Sequence, residues 1–523
     1  MTARTLTLGR ATYPVLLPTV RDPRLHVAAV LITVHVLGQV GLHFRLSVPQ
    51  VLAAILTCAV LEVILTFRQS RALVWPASAM LTGSGVALIM RAVGTPPNEP
   101  WAANDWHLFA VVAGLSLLSK YVMKYRGTHV FNPSNIGLVV AFLVLGSTQV
   151  EPLDFWWAPL NGWMIAAYGV IIVGGLLITR RLRLLALAGS FWVALAAGTG
   201  LLAISGHCMT ANWAFAPVCG FDFWRVIVTS PEVLIFLFFM ITDPKTVPAG
   251  SVGRVVFGVL VGAASVLLMA PQTDEFGTKV GLLAGLVVIC AARPLLDRLV
   301  PVPQSAADDL RSYLGGGNAT RRASRIGMAA VAVILVSVGI FAAGIPARGI
   351  VLADPVETLN RPAPVVDPAT LPAITVSQEV VDFDHELAGP GMHVVVVTLA
   401  QNLELENQAL LRRDASLLLA VNHGDRLAEM QARLEAATTT GTTAVAHYRF
   451  DALDVSLLVP FGEQTGLSLG LHARGTVIEE RYDASGSLQS RVSTPFTLTF
   501  AMRQATGARW LIVAVLPEGE PPD

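Results

Sequence analysis

The chain has 523 residues, 54% hydrophobic and 14% charged, with 36 Lys and Arg against 36 Asp and Glu. That is too apolar and too sparsely charged for an ordinary soluble protein of this length. The zero net charge leaves no basic footprint for nucleic acid. Apolarity is uneven: residues 26–345 are nearly all long apolar runs, while 346–523 read as a soluble domain.

Residues 1–25 are polar and basic, with Arg4, Arg10, Arg21 and Arg24, and no small-residue cleavage site precedes the first apolar run. They are predicted to be a cytoplasmic segment, with the first span as its own insertion signal. A transmembrane helix needs roughly 20 apolar residues. Eleven stretches are predicted as spans: 26–43, 48–67, 76–92, 106–123, 134–150, 161–179, 183–205, 224–242, 253–271, 276–292 and 326–345. Basic residues mark cytoplasmic loops. With the N-terminus inside, the inner loops hold Arg68 and Arg71; Lys120, Lys124 and Arg126; Arg180, Arg181 and Arg183; Lys245 and Arg254; and the run from Arg293 to Arg325. The outer loops carry Glu99, Asp105, Glu151, Asp154, Asp274 and Glu275. Cys208 and Cys219 then fall outside, where a disulfide between them is chemically permitted. Cys58 and Cys290 lie inside apolar runs and read as small hydrophobes.

After the ten spans of 26–300 comes a basic cytoplasmic linker, 301–325, and then the eleventh span. Residues 346–373 carry six prolines from Pro346 to Pro372, an extended semi-rigid spacer. The tail, 374–523, is expected to be extracytoplasmic. Helical period is strongest in 403–421 and 426–437. Strands are expected near 443–450, 453–459, 467–482, 488–503 and 509–515, with a hairpin turn at Tyr482-Asp-Ala-Ser-Gly-Ser487. This is an α+β order, and it resembles the cone-shaped nuclear-transport-factor-2-like fold. Asp382, Asp384, His385 and Glu386 sit in one run without spaced partner ligands, which favours a solvated loop over a metal site.

Two polar turns interrupt the apolar region. One closes a run at Phe239-Met-Ile-Thr-Asp-Pro-Lys-Thr-Val-Pro248; the other opens one at Thr128-His-Val-Phe-Asn-Pro-Ser-Asn135. Polar backbone at membrane depth is tolerated where protein or water covers it. Asn132, Pro133 and Asn135 fit an ordinary helix start, yet Lys124, Arg126, Thr128 and His129 crowd just before it, which suits an anion such as a phosphate. Thr242, Asp243 and Lys245 are either a solvated turn or part of a site. Ser78, Thr82 and Ser84 lie in a stretch rich in small residues; they either serve close helix packing or line a cofactor or ion cavity. Glu62 and Glu232 are ionisable groups in or near apolar runs and so candidates for an ion or substrate path. Spans 1–5 and 6–10 read as two repeats, and a five-helix unit inserts inverted when duplicated. The expected fold is thus a polytopic α-helical membrane protein of two inverted five-helix repeats plus one extra helix, followed by the soluble α+β domain.

Phe131-Asn-Pro133, the Ser78–Gly85 stretch and Phe238–Pro248, continuing through Gly253–Gly262 and Pro294–Asp297, resemble the RnfD-type membrane component of Rnf electron-transport complexes. The NqrB-type component of the sodium-pumping NADH:quinone oxidoreductase is related to that family. The resemblance spans roughly 45–300. It implies ten helices in inverted repeats, bound flavin, partner redox subunits, and electron transfer coupled to ion movement. The family's Ser-Gly-Ala-Thr flavin-attachment motif is absent: the corresponding loop reads Gly146-Ser-Thr-Gln-Val-Glu-Pro-Leu-Asp154, with Ser147 and Thr148 as its hydroxyls. The resemblance therefore implies flavin mononucleotide (FMN) or riboflavin held without a covalent bond, between the Asn132 and Asp243 turns. The extra helix and tail give a looser resemblance to membrane proteins found beside enediyne polyketide synthases of actinobacteria, which implies a biosynthetic role. Two other readings stay open: a transporter or channel on the same scaffold without flavin, and a scaffold whose tail recruits an extracytoplasmic partner or an apolar ligand.

Overall fold

The computed structural model describes the chain except residues 1, 9–10, 43, 97–98, 153–159, 212, 316–318, 348–370, 459–466, 506–508 and 518–523. It divides into two units: Met1–His207 with Gly220–Ala347, and Cys208–Cys219 with Arg348–Asp523.

The first unit begins with a hairpin, β1 (Thr2–Leu8) and β2 (Ala11–Leu17), that the basic composition of 1–25 did not suggest. Helices α1 (Pro23–Gly41) and α2 (Val48–Ser70) follow, then β3 (Leu73–Val74), parallel to β2. Next come α3 (Ala77–Ile89), β4 (Met90–Ala92), α4 (Trp106–Val122), the two-residue strands β5 (Lys124–Tyr125) and β6 (Thr128–His129), α5 (Pro133–Leu145) and β7 (Val150–Pro152). Helices α6 (Gly162–Arg181) and α7 (Leu185–Ile204) precede the strands β8 (Cys208–Met209) and β9 (Val218–Cys219), which belong to the second unit. Then come α8 (Gly220–Thr229), α9 (Pro231–Ile235), a π-helical turn at Phe236–Met240, α10 (Ser251–Met269), α11 (Glu275–Ala291), α12 (Arg293–Leu299), α13 (Leu310–Gly315) and α14 (Ala319–Ala343).

Among the described residues six helical stretches are long and apolar enough to cross a membrane, or seven if α11 and α12, bent by 60°, form one span. Four shorter apolar helices, Ala77–Ile89, Trp106–Val122, Pro133–Leu145 and Gly327–Ala343, occupy the other expected spans. Every expected stretch therefore holds a helix, and among the described residues six or seven of the eleven have the length of a full span. The third and fifth are 13 residues long: α3 stops where Met90 turns extended, and α5 stops at Gly146, φ 73°, before a turn that leads into β7. Met90–Ala92 pairs antiparallel with Val150–Pro152, and Arg91 is ion-paired with Glu151 across that ladder.

Polar caps start the helices where free backbone N–H groups need acceptors. Ser47 and Gln50 form a reciprocal capping box on α2, and Asn132, Asn161, Ser230 and Asp274 cap α5, α6, α9 and α11. Small residues let backbones approach: a Cβ at Gly83 would come within 2.5 Å of the Ala54 carbonyl oxygen on α2, and one at Gly262 within 3.0 Å of the Phe191 carbonyl on α7.

The second unit has a five-stranded sheet in the order β10 (Ile374–Val376), β11 (Thr443–Leu458), β12 (Ser468–Tyr482), β13 (Leu488–Gln504), β14 (Trp510–Pro517). Helices Pro390–Arg412, Ala415–Val421 and Gly424–Thr440 pack on it. The strands expected at 443–450 and 453–459 are one strand, β11, with a register shift between Phe450 and Ala452. Such a bulge inserts a residue without ending the ladder. The turn at 482–487 closes as expected: Asp483 N donates to Ser487 O at 3.0 Å, and Gly486 takes φ 81°. A disulfide joins Cys208 and Cys219. Between them Phe215 is buried in this unit's core, its ring 4.8 Å from Phe383 and 5.3 Å from Trp510.

Candidate functional site at the paired polar turns

The π-helical turn ends with Ile241 N donating to Phe236 O at 3.0 Å, and there the chain leaves the helix. π-turns often mark functional sites. The turn that follows is tied down by its own side chains. Thr242 Oγ1 donates to Phe238 O, Asp243 Oδ1 accepts from Lys245 N at 3.1 Å, and Asp243 O accepts from Thr246 N at 3.1 Å.

The last carbonyls of a helix lack partners within it. Asn132 supplies one from across the fold: its Nδ2 donates to Met240 O at 3.1 Å. Its Oδ1 accepts from Ser134 Oγ at 2.8 Å and Asn135 N at 3.3 Å, capping α5. Pro133 sits in the first turn, where its missing N–H costs nothing. A second tie joins the turns: His129 Nε2 and Asp243 Oδ2 lie 2.9 Å apart, with side chains only 8% and 19% exposed. Asn135 points elsewhere. Its Nδ2 donates to Leu283 O on α11 at 3.0 Å, while its Oδ1 is buried with no hydrogen-bond partner.

Beside the turns opens a cleft of about 380 Å³, lined by residues of 125–130, 245–250, Arg293, Asp297 and 300–303. Strands β5 and β6 form its near wall. They are joined by Arg126 at φ 48° and Gly127 at φ 80°, the two positive values that a tight type I′ hairpin needs. Holding a non-glycine residue there costs on the order of 1 kcal/mol, and it carries the Arg126 guanidinium to the cleft, 5.1 Å from the Tyr125 ring centre and 3.6 Å from Asp297 Oδ2. Arg293 Nε reaches Asp297 Oδ1 at 2.8 Å, and its Nη1 donates to Thr246 O.

The other sequence candidates do not line this cleft. Thr82 Oγ1 donates to Ser78 O at 3.2 Å, and Ser84 Oγ faces His35 Nε2 on α1 at 3.4 Å, so these hydroxyls serve α3 and its packing. Lys124 is exposed, its Nζ 5.6 Å from the Tyr121 ring centre. Glu62 is buried with Lys120 Nζ at 2.9 Å and Tyr121 OH at 2.5 Å. Glu232 lies 3.6 Å from Lys279 Nζ, which also holds Glu275 at 2.6 Å. Glu275 and Lys279, four apart on α11, were legible as a helical pair; Tyr125, Arg293 and Asp297 carried no local signal that they line one cleft. Among the described residues no group of three or more His, Cys, Asp and Glu could hold a metal ion.

No protein-family profile matches the chain. A curated relative, the D-type component of an ion-translocating oxidoreductase complex from Sodalis glossinidius (strain morsitans), is 25% identical over an alignment covering 41% of this chain and 75% of the relative. With the apolar helices and the paired turns, this makes the chain a multi-pass membrane protein similar to the D-type components of ion-translocating oxidoreductase complexes.

Proposed function

We propose that this protein is the membrane subunit of an electron-transport complex and holds a flavin non-covalently at the paired polar turns. The observation that carries the reading is the joining of two distant turns by Asn132 with Met240 and His129 with Asp243, beside a cleft of small-molecule size. The similarity to a component of an oxidoreductase complex supports it. The residues present suit the group. Tyr125 and the prolines of 301–303 offer apolar surface to a planar ring, and Lys245 and Arg126 offer cations to a ribityl phosphate. A bound flavin supplies the redox chemistry. The chain's part is to bind and orient it, and to set the charge around it through the His129–Asp243 pair.

Ser147 and Thr148 follow the far end of α5, about 20 Å along the helix from Asn132 at 1.5 Å per residue, which favours non-covalent binding in the cleft. The Lys and Arg distribution supports a cytoplasmic N-terminus and cleft, with the second unit extracytoplasmic. The short helices α3 and α5, whose chains run on into the paired strands β4 and β7, support an interrupted-helix scaffold of the inverted-repeat kind. The buried groups Glu62–Lys120 and Glu232–Lys279–Glu275 are where we place ion movement.

The test is flavin analysis of the full-length protein purified in mild detergent from riboflavin-replete cells. Flavin released on denaturation, and lost in Asn132→Ala, is the expected result. A colourless preparation refutes the flavin reading and favours a transporter on the same scaffold.

A further inference from the structure

We propose that the cleft is a phosphate-monoester site, whose cations take the dianionic end of a ring-bearing ligand. This rests on the flavin reading and makes the site selective for the mononucleotide over riboflavin. Three cations line the cleft, Arg126, Lys245 and Arg293, against one carboxylate, Asp297. Three less one leaves two positive charges, and a phosphate monoester carries roughly −1.5 to −2 near pH 7. His129 is already engaged by Asp243.

The three cations differ in how they are held. Arg293 is anchored by Asp297 and the Thr246 carbonyl, with further N–H groups left to donate. Arg126 is brought in by a hairpin turn whose left-handed backbone only a few residue types accept readily, and it keeps a 71% exposed side chain 3.6 Å from the same carboxylate. Lys245 has its backbone fixed through Asp243, while its ammonium has no ion-pair partner among the described residues. The Tyr125 ring and Pro248, Pro301 and Pro303 supply the apolar surface beside these charges.

The chain contains four lysines, Lys120, Lys124, Lys245 and Lys279. Lys120 and Lys279 are ion-paired, so Lys124 and Lys245 are the two exposed ones, and Lys124 serves as an internal control. Full-length protein in detergent is treated with pyridoxal 5′-phosphate or with pyridoxal. Either aldehyde condenses with a lysine amine, losing water to form an imine, and borohydride reduces the imine to a stable amine located by peptide mass. The expected result is a preference for the phosphorylated reagent at Lys245 about tenfold above that at Lys124. Inorganic phosphate should suppress it and Arg126→Ala should largely remove it. Equal preference at the two lysines, or no protection by phosphate, overturns the proposal. In parallel, flavin mononucleotide and riboflavin are titrated against the flavin-stripped protein. Tighter binding of the mononucleotide supports the site. Equal affinities overturn it while leaving the flavin reading intact. Binding of neither, with phosphate-protected labelling retained, removes flavin and upholds the phosphate site.

Discussion

Replacing Asn132 by Ala removes three hydrogen bonds: two accepted by Oδ1 at the start of α5 and one donated to Met240 O. Loss of a helix N-cap costs about 1 kcal/mol. Leaving the buried Met240 carbonyl unpaired costs about 1–3 kcal/mol more. The expected destabilisation is thus roughly 2–4 kcal/mol. Asn132→Ser separates the two parts, since serine keeps the cap but cannot reach Met240. The order of stability should be wild type, then Ser, then Ala. Unfolding in detergent can be followed by thiol exposure at Cys58 and Cys290, which are free and buried. All variants should be heated at one rate, because unfolding of large proteins is often irreversible and then rate-dependent. Asn132→Ala unfolding with the wild type would refute the claim that this side chain joins the two turns.

Three further outcomes follow from the same geometry. Lys120→Met leaves Glu62 as a buried charge without its cation, so the same assay should register a loss of about 3–5 kcal/mol, most of it recovered by adding Glu62→Gln; no loss would mean that water reaches Glu62. Phe215→Ala opens a hole beside Phe383 and Trp510, worth about 3–5 kcal/mol to the second unit, and should speed its cleavage in limited proteolysis; an unchanged rate would count against Phe215 as a core residue. His207, between α7 and β8, is fully buried, and burial lowers its pKa from 6.5 to about 4. The unfolded chain therefore binds more protons than the folded one between those values, and stability should fall as pH drops through that window. His207→Phe should flatten this pH dependence of unfolding relative to wild type, and an identical slope would refute the assignment.

The existence of the apolar helices was legible because twenty apolar residues have few other stable places to be. Their lengths were not. Met90–Ala92 runs straight on from an apolar helix with Arg91 as its one charge, and pairing with Val150–Pro152, Arg91 to Glu151 included, draws it out of the helix. In the same way the β1–β2 hairpin is hidden in a basic segment, and the break that seemed to divide β11 is a bulge bridged by its partner strand. The turn at 482–487 was readable because its Asp and Gly act locally.

The same division runs through the candidate site. The residues themselves determined that Asn132 would cap a helix, that Asp243 and Pro244 would end one, and that both turns would be polar islands in an apolar chain. Those are properties of a few neighbouring residues. That Asn132 reaches the Met240 carbonyl, that His129 faces Asp243, and that Arg126, Lys245 and Arg293 share one cleft were decided by the packing of helices more than a hundred residues apart in sequence. Such pairings depend on helix length, break point and rotation together, and local composition leaves these open.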